Sequence, residues 1–502
     1  MAPGFADDDP LSRVLAPPPN ETAADREARL LAETEAKRIS DAIDEELQLQ
    51  ARSDKKGPRP MKMLLLGQSE SGKSTTLKNF QLLHSPKAFH AERASWRAVI
   101  QLNVVRSIRL ILEAIAEVHA LQVPSASSSP RSSHRTLPDS RPSSSRSSPL
   151  ADLPHLTPEH LKLRLRLMPL LQVEEVLIRK LTRAGNTEQE ATRLTQLTNM
   201  PDVIARDKEL AVNSHFVWKT MFSRIAGKRN SSEMDIDAID WNDPEDAGRI
   251  IHACGEDMIM LWGDPVVHDV LAYQKLRLQE MPGFFLDSLD RLTEPRYIPT
   301  DDDILRARLK TLGVSEYRFQ VKDENFSGIV AGSREWRVYD VGGHRSLRAA
   351  WAPFFDDMDA VLFLAPISCF DQVLEEDPLV NRLEDSVLLW KSIVSNPLLA
   401  RTSLVLFLNK IDILQHKLSL GIQLGHYIVS YGNRPNDYQN TSTYLRRKFS
   451  QIHKEHSPVP RPFYCHFTAV TDTKTTAHIL GDVQDTIVRR QLQSIALMGP
   501  DL

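Results

Sequence analysis

Residues 62–75 read KMLLLGQSESGKST. An apolar run, a glycine-rich loop and then residues suited to a helix leave few folds open. Lys62 to Leu66 is expected to form a buried strand, and a helix is expected to begin near Lys73. The loop Gly67, Gln68, Ser69, Glu70, Ser71, Gly72, Lys73, Ser74, Thr75 has the frame G-x-x-x-x-G-K-S. Its glycines let backbone N–H groups curl around phosphate oxygens, and the following helix adds its positive N-terminal end. In such a loop Lys73 reaches the β- and γ-phosphates of a nucleotide, and Ser74 ligates Mg²⁺.

The partners of that strand lie far along the chain. From Trp336 onward, WRVYD (336–340), AVLFLAP (360–366), SLVLFLN (403–409) and FYCHFT (463–468) alternate with helical segments. This alternation implies an α/β fold with a mostly parallel sheet covered by helices on both faces. Pro158 to Arg291 carries mainly helical signals, with amphipathic stretches such as Leu161 to Leu181. The helical region is therefore expected to be inserted into the α/β domain. A chain of 502 residues is long enough for two or more domains.

Composition narrows the class. A net charge of −4 gives no case for nucleic-acid binding through overall charge. Cys254, Cys369 and Cys465 are too few and too scattered for a disulfide framework or a metal site, and a reducing, cytoplasmic compartment fits them. The start MAPGFADDDP is acidic where a secretory signal would be basic and then apolar. No apolar run is long enough for a bilayer, so membrane contact is expected to be peripheral at most. Residues 124–149 are dominated by Ser, Pro and Arg and are expected to be disordered. They are either a tolerated insertion or a phosphorylation-controlled segment, since Arg131 and Arg146 directly precede serines. A second polar stretch, about 226–247, reads as another insertion.

The base is selected elsewhere. NKID (409–412) follows the strand SLVLFL. Asp412 in such a motif accepts hydrogen bonds from guanine N1–H and the exocyclic amine; adenine has no amine there and leaves the carboxylate underpaired. Lys410 lays its stem over the ring and Asn409 ties the loop together. FTAVT (467–471), with Val470, follows the next strand, and its backbone is placed to meet guanine O6. DVGGH (340–344) follows WRVY: Asp340 is suited to hold Mg²⁺ through water, and the Gly343 N–H to sense the γ-phosphate of GTP.

Together these motifs resemble those of heterotrimeric G-protein alpha subunits. The most specific stretches are LWGDPVV (261–267) and FFLDSLDRLTEPRYIPTDDDILRARLKTLGVSE (284–316), with FLNKID and TAVTDTK completing the set. The resemblance implies a Ras-like GTPase domain (58–80 and 299–502) with an inserted all-helical domain (81–298); composition adds an N-terminal helix (21–57), where Pro and Gly are lacking from about Glu21 to Gln50, and a Pro- and Asp-rich start (1–20) expected to be disordered. The resemblance also implies GTP/GDP as ligand with Mg²⁺, a beta–gamma dimer bound to the GDP form, and a G protein-coupled receptor as activator. The effector stays unnamed. By motif position Arg308 is the built-in arginine finger, Thr311 a second Mg²⁺ ligand, and Glu70 the partner of Arg308; Leu305 and Arg306 join the nucleotide set.

Three departures stand out. Ser69 occupies the place of the family's third loop glycine. His344 stands where the family has the glutamine that orients the attacking water. Ala2 replaces a myristoylation glycine and no cysteine precedes Cys254, so residence at the cytoplasmic face of the plasma membrane is expected to depend on partners. The binding set is kept and the hydrolytic set is altered, so slow cleavage is expected. Two readings compete with an ordinary timed GTPase: a GTP-loaded binding module with little hydrolysis, and an unrelated ATP-using enzyme, which NKID opposes. The N-terminal helix, with Leu30, Ile39, Ile43 and Leu47 on one stripe, either packs on its own domain or presents a partner-binding face.

Overall fold

The computed structural model describes residues 22–56, 59–122, 153–183, 211–213, 246–312, 314–322, 333–374 and 376–497. The serine-rich segment 124–149 and most of the polar stretch 226–247 lie outside these. The chain divides into two units, 1–60 and 61–502. Among the described residues the first holds the helix Ala23–Lys56, free of Pro and Gly and braced by pairs such as Arg29–Glu33 at 2.8 Å.

The second unit is built on a six-stranded sheet in the order β4-β5-β1-β6-β7-β8. The strands are β1 (Met61–Gly67), β4 (Val314–Lys322), β5 (Ser333–Val341), β6 (Ala360–Pro366), β7 (Ser403–Asn409) and β8 (Tyr464–Thr468). All neighbours run parallel except β4, which is antiparallel to β5. Two short strands, β2 (Ala211–Asn213) and β3 (Lys310–Leu312), pair separately. The apolar runs of β1, β6 and β7 are buried because both faces are covered. Leu64, Leu66, Phe363 and Leu406 meet Trp390 and Phe449 on one face. Met63, Leu65, Leu362 and Phe407 meet Phe80, Leu480 and Ile487 on the other. Alternate residues of one strand thus feed two cores, as the two-residue period of a strand requires.

A third core is largely helical and runs from Phe89 to Ala307 among the described residues. Its axis is the helix Arg93–Gln122, whose Ile100, Ile108 and Ile115 are fully buried. Helices Pro169–Arg183 and Pro265–Tyr273 pack on it. Asp246, assigned to a polar insertion by the sequence reading, belongs instead to this body: its carboxylate accepts two hydrogen bonds from Arg97, at 2.8 and 3.0 Å. A pair of opposite charges on a helical core, not local polarity, decides that position.

A buried charge cluster joins the helical and sheet cores. Lys417 is fully buried; its ammonium donates to the Ser368 carbonyl at 3.0 Å and lies 2.6 Å from Asp371 and 2.7 Å from Glu280. Arg277 pairs with both carboxylates. No helix among the described residues is long and apolar enough to cross a membrane.

Candidate nucleotide site

Each motif loop leaves the carboxyl end of a parallel strand: Gly67 ends β1, Val341 ends β5, Asn409 ends β7 and Thr468 ends β8. Open α/β sheets take their ligands along this edge. The helix Lys73–His84 starts directly after the glycine-rich loop. Gly72 has φ 101°, and a Cβ there would sit 2.4 Å from Asn409 Nδ2. Glycine is needed both for that left-handed backbone and for the close approach. Glu70 also has positive φ, at 59°.

Lys73 is buried, and its Nζ donates to the carbonyls of Gly67 (2.9 Å) and Gln68 (2.6 Å). Burial pulls its ammonium down to about 8 against the opposing charge of Asp340. Ser74 Oγ donates to Asp340 Oδ2 at 2.7 Å. Burial pushes the Asp340 carboxyl up, and the Lys73 charge opposes this. Asp340 Oδ1 is buried without a hydrogen-bond partner among the described residues. An orphaned carboxylate oxygen beside a serine hydroxyl suits a hard cation that takes oxygen ligands and keeps its waters. Thr311 lies on β3, and its side chain is outside the described atoms. Gly343 lies against the loop: a Cβ there would come 2.5 Å from Lys73 Nζ.

Arg308 Nη1 is 2.5 Å from Glu70 Oε1. Its backbone is held from the helical core, where Asn103 accepts from the Arg308 N–H (2.8 Å) and donates to its carbonyl (3.0 Å). Glu70 also accepts from Arg382 at 3.2 Å. Burial would raise the Glu70 carboxyl, but the Arg308, Arg382 and Lys410 charges hold it below the usual range. Arg382 donates in addition to the Ser69 carbonyl at 3.0 Å. Gln68 Nε2 reaches Asp385 at 2.5 Å, and Asp385 takes a two-pronged grip from Arg348 at 3.0 and 2.7 Å. His344 lies to the side, with Nε2 3.4 Å from Glu376 and Nδ1 2.8 Å from Ser346 Oγ.

Asn409 is fully buried and joins three loops. Its Nδ2 donates to the Ser71 carbonyl (2.7 Å), and its Oδ1 accepts from Thr468 Oγ1 (3.0 Å) and the Val470 N–H (3.3 Å). Lys410 follows with φ 62°, and burial lowers its ammonium. Asp412 is exposed. Thr75 Oγ1 donates to the Leu305 carbonyl at 3.4 Å, while Arg306 is exposed. Behind the loop, buried Lys78 donates to the carbonyls of Ile304 and Ala307, both at 2.8 Å, with its charge 4.0 Å from the Trp96 ring centre. Asn79 donates to the Val470 carbonyl at 2.9 Å. Asn103, Arg348, Arg382 and Asp385 are absent from the sequence-derived set, for none sits in a loop with a phosphate or base signature.

A family model described as the G-protein alpha subunit matches residues 37–487. The chain belongs to the G-protein alpha-subunit family. It is 32% identical to the guanine nucleotide-binding protein alpha-4 subunit of Mycosarcoma maydis, over 98% of this chain and 96% of that one. It is 30% identical to a guanine nucleotide-binding protein subunit alpha of Candida albicans, covering 92% and 95%. The alpha-1 subunit of Saccharomyces cerevisiae is 26% identical, covering 92% and 96%. As an alpha subunit the chain is a guanine-nucleotide-binding signalling switch. In this alpha subunit the glycine-rich loop, the NKID loop and the 468–470 loop converge on a single amide, that of Asn409.

Proposed function

We propose that this alpha subunit binds GTP and GDP with Mg²⁺ and hydrolyses GTP slowly. In this reading a Ras-like GTPase domain (58–80 and 299–502) carries an inserted helical domain (81–298). The observation that carries the proposal is the placement of Asn409. It ties the base motif to the phosphate loop and to the loop after β8. One ligand with a guanine at one end and phosphates at the other fits that joint edge.

The loop from Gly67 to Thr75 wraps the phosphates. Lys73 exchanges its loop carbonyls for β- and γ-phosphate oxygens, a substitution its burial favours once anionic charge arrives. Ser74, Asp340 and Thr311 are the residues that would hold Mg²⁺, and Asp340 Oδ1 gains the partner it lacks. When bound, the cation supplies positive charge against the phosphate oxygens. Asp412 and Lys410 take the guanine. In hydrolysis the water oxygen bonds to the γ-phosphorus as the bond to the β–γ bridging oxygen breaks, giving GDP and inorganic phosphate. Arg308, presented by Asn103 and braced by Glu70, leaves Glu70 for the γ-phosphate oxygens as charge grows there. His344 and Ser69 are the altered members of this machinery. A beta–gamma dimer and a receptor are the partners proposed from family membership, and the cytoplasmic face of the plasma membrane is where they would hold it.

The test is competition against a fluorescent GTP analogue with Mg²⁺ present. GTP and GDP displace the probe and ATP does not; Asp412→Ala abolishes that preference. Displacement by ATP as readily as by GTP overturns the assignment. Single-turnover release of phosphate from preloaded GTP then reads hydrolysis directly, with Arg308→Ala expected to be slower by about a hundredfold or more.

A further inference from the structure

The stretch after β5 faces the loop between β6 and the helix Arg382–Ser395. Two adjacent basic residues meet two adjacent acidic ones across this gap. His344 Nε2 lies 3.4 Å from Glu376 Oε1, and Arg345 Nη1 lies 3.1 Å from Asp377 Oδ2. The Arg345 backbone N–H also donates to Glu376 Oε1, at 3.4 Å. The second His344 nitrogen, Nδ1, is 2.8 Å from Ser346 Oγ. Glu376 itself lines the cavity that Ser69, Glu70 and Arg382 form beside the phosphate loop.

A carboxylate that readies an imidazole for work on a water takes one ring nitrogen and leaves the other open. Here both nitrogens are engaged, one by Glu376 and one by Ser346. The carboxylate keeps the ring proton on Nε2, so the accepting nitrogen is Nδ1, which Ser346 Oγ already meets; without Glu376 the proton can sit on Nδ1, facing Ser346 Oγ, and Nε2 is left to accept from an attacking water. Glu376 is 15% and His344 34% exposed at the side chain, so the pair is partly shielded from solvent.

We propose that Glu376 is a positioning residue that holds His344 away from the attacking water, so that the loop after β6 sets how fast this alpha subunit turns itself off. The inference rests on the GTP-hydrolysis reading above. It makes the slow rate a property of the contact between two loops as well as of the histidine itself. A partner that draws Glu376 and Asp377 aside would release the ring and speed hydrolysis.

The experiment is a double-mutant cycle on the full chain, with Glu376→Ala, His344→Ala and the pair, read by single-turnover phosphate release from preloaded GTP. Glu376→Gln is the milder variant. Dissociation of a fluorescent GTP analogue is measured on each protein. The expected result is that Glu376→Ala hydrolyses about three- to tenfold faster than the native chain, with Glu376→Gln between them, as release of a partly shielded ion pair permits. In the His344→Ala background Glu376→Ala brings no acceleration, and analogue dissociation stays within about twofold throughout. An unchanged or slower rate in Glu376→Ala overturns the proposal, the slower one marking Glu376 as an aid to His344. Equal acceleration without His344 overturns it too, since the loop then acts by another route. If the native chain binds guanine nucleotide but neither it nor Glu376→Ala cleaves GTP, the restraint is refuted while binding stands. If no guanine nucleotide binds at all, the underlying functional reading fails with it.

Discussion

Single amides and ammonium groups carry much of the site. Asn409→Ala removes three hydrogen bonds among three loops, each worth about 1 kcal/mol. GTP affinity is expected to fall by about a hundredfold, read by titration with a fluorescent analogue, and an affinity within threefold of native would refute the role. Asn103→Ala frees the Arg308 backbone from the helical core; hydrolysis is expected to slow by about tenfold with GTP affinity nearly unchanged, since the guanidinium is then misplaced and not lost. Lys78 is a pH-sensitive contributor. Burial pulls its ammonium down to about 7, so between about pH 7 and 10.5 the folded chain carries it neutral more often than the unfolded chain does. Folding there releases a proton, and this residue's contribution grows more favourable as pH rises. Urea unfolding at pH 6.5 and 8.5 is expected to show the native chain gaining on Lys78→Met at the higher pH; parallel curves would count against it. The loops of the candidate site were legible, because Lys73, Ser74, Asp340, Asn409 and Asp412 sit in short motifs after apolar runs, and the fold brings those loops to one edge of the sheet. Asn103 and Arg382 were not, because their partners lie 205 and over 300 residues away, and no local pattern encodes such a meeting.

At the scale of elements, apolar runs reveal strands only where both faces are covered. β1, β6, β7 and β8 follow the expected runs closely, and β5 extends beyond WRVYD at both ends. β4 escaped that criterion. As the edge strand it alternates buried Ser315 and Phe319 with polar Glu316, Arg318 and Gln320, so its pattern is weak and its partner, β5, supplies the order. The Lys417 cluster is an element-scale device of another kind. It fixes the helix Ile411–Ser419, which begins inside NKID, to the loop after β6 and to the segment carrying Arg277 and Glu280. Among the described residues, Lys417→Met leaves the carboxylates of Asp371 and Glu280 with Arg277 and Gln372 to answer them. Breaking a buried pair from one side costs about 3–5 kcal/mol. A lowered midpoint in thermal unfolding is the expected outcome, and an unchanged midpoint would show that the cluster is not needed for stability.

For the whole molecule, the site spans loops drawn from residue 67 to residue 470, so ligand and fold are coupled. GDP with Mg²⁺ at a hundred times its dissociation constant is expected to add about 2.7 kcal/mol to stability, and the same concentration of ADP nothing measurable; differential scanning fluorimetry separates the two. The same geometry has a consequence for how the chain is made. β1 lies in the middle of the sheet, yet Met61 pairs with Trp336, and Met63 with Ala360. On a ribosome adding roughly 5–20 residues per second, the apolar MKMLLLG segment waits roughly 15–60 seconds for its first neighbour. The helical core, complete by Ala307, can close in that interval. The residues of the helical core are thus all made while β1 still lacks both of its strand partners, and an apolar strand so placed is a segment for a chaperone to cover before any nucleotide can be held.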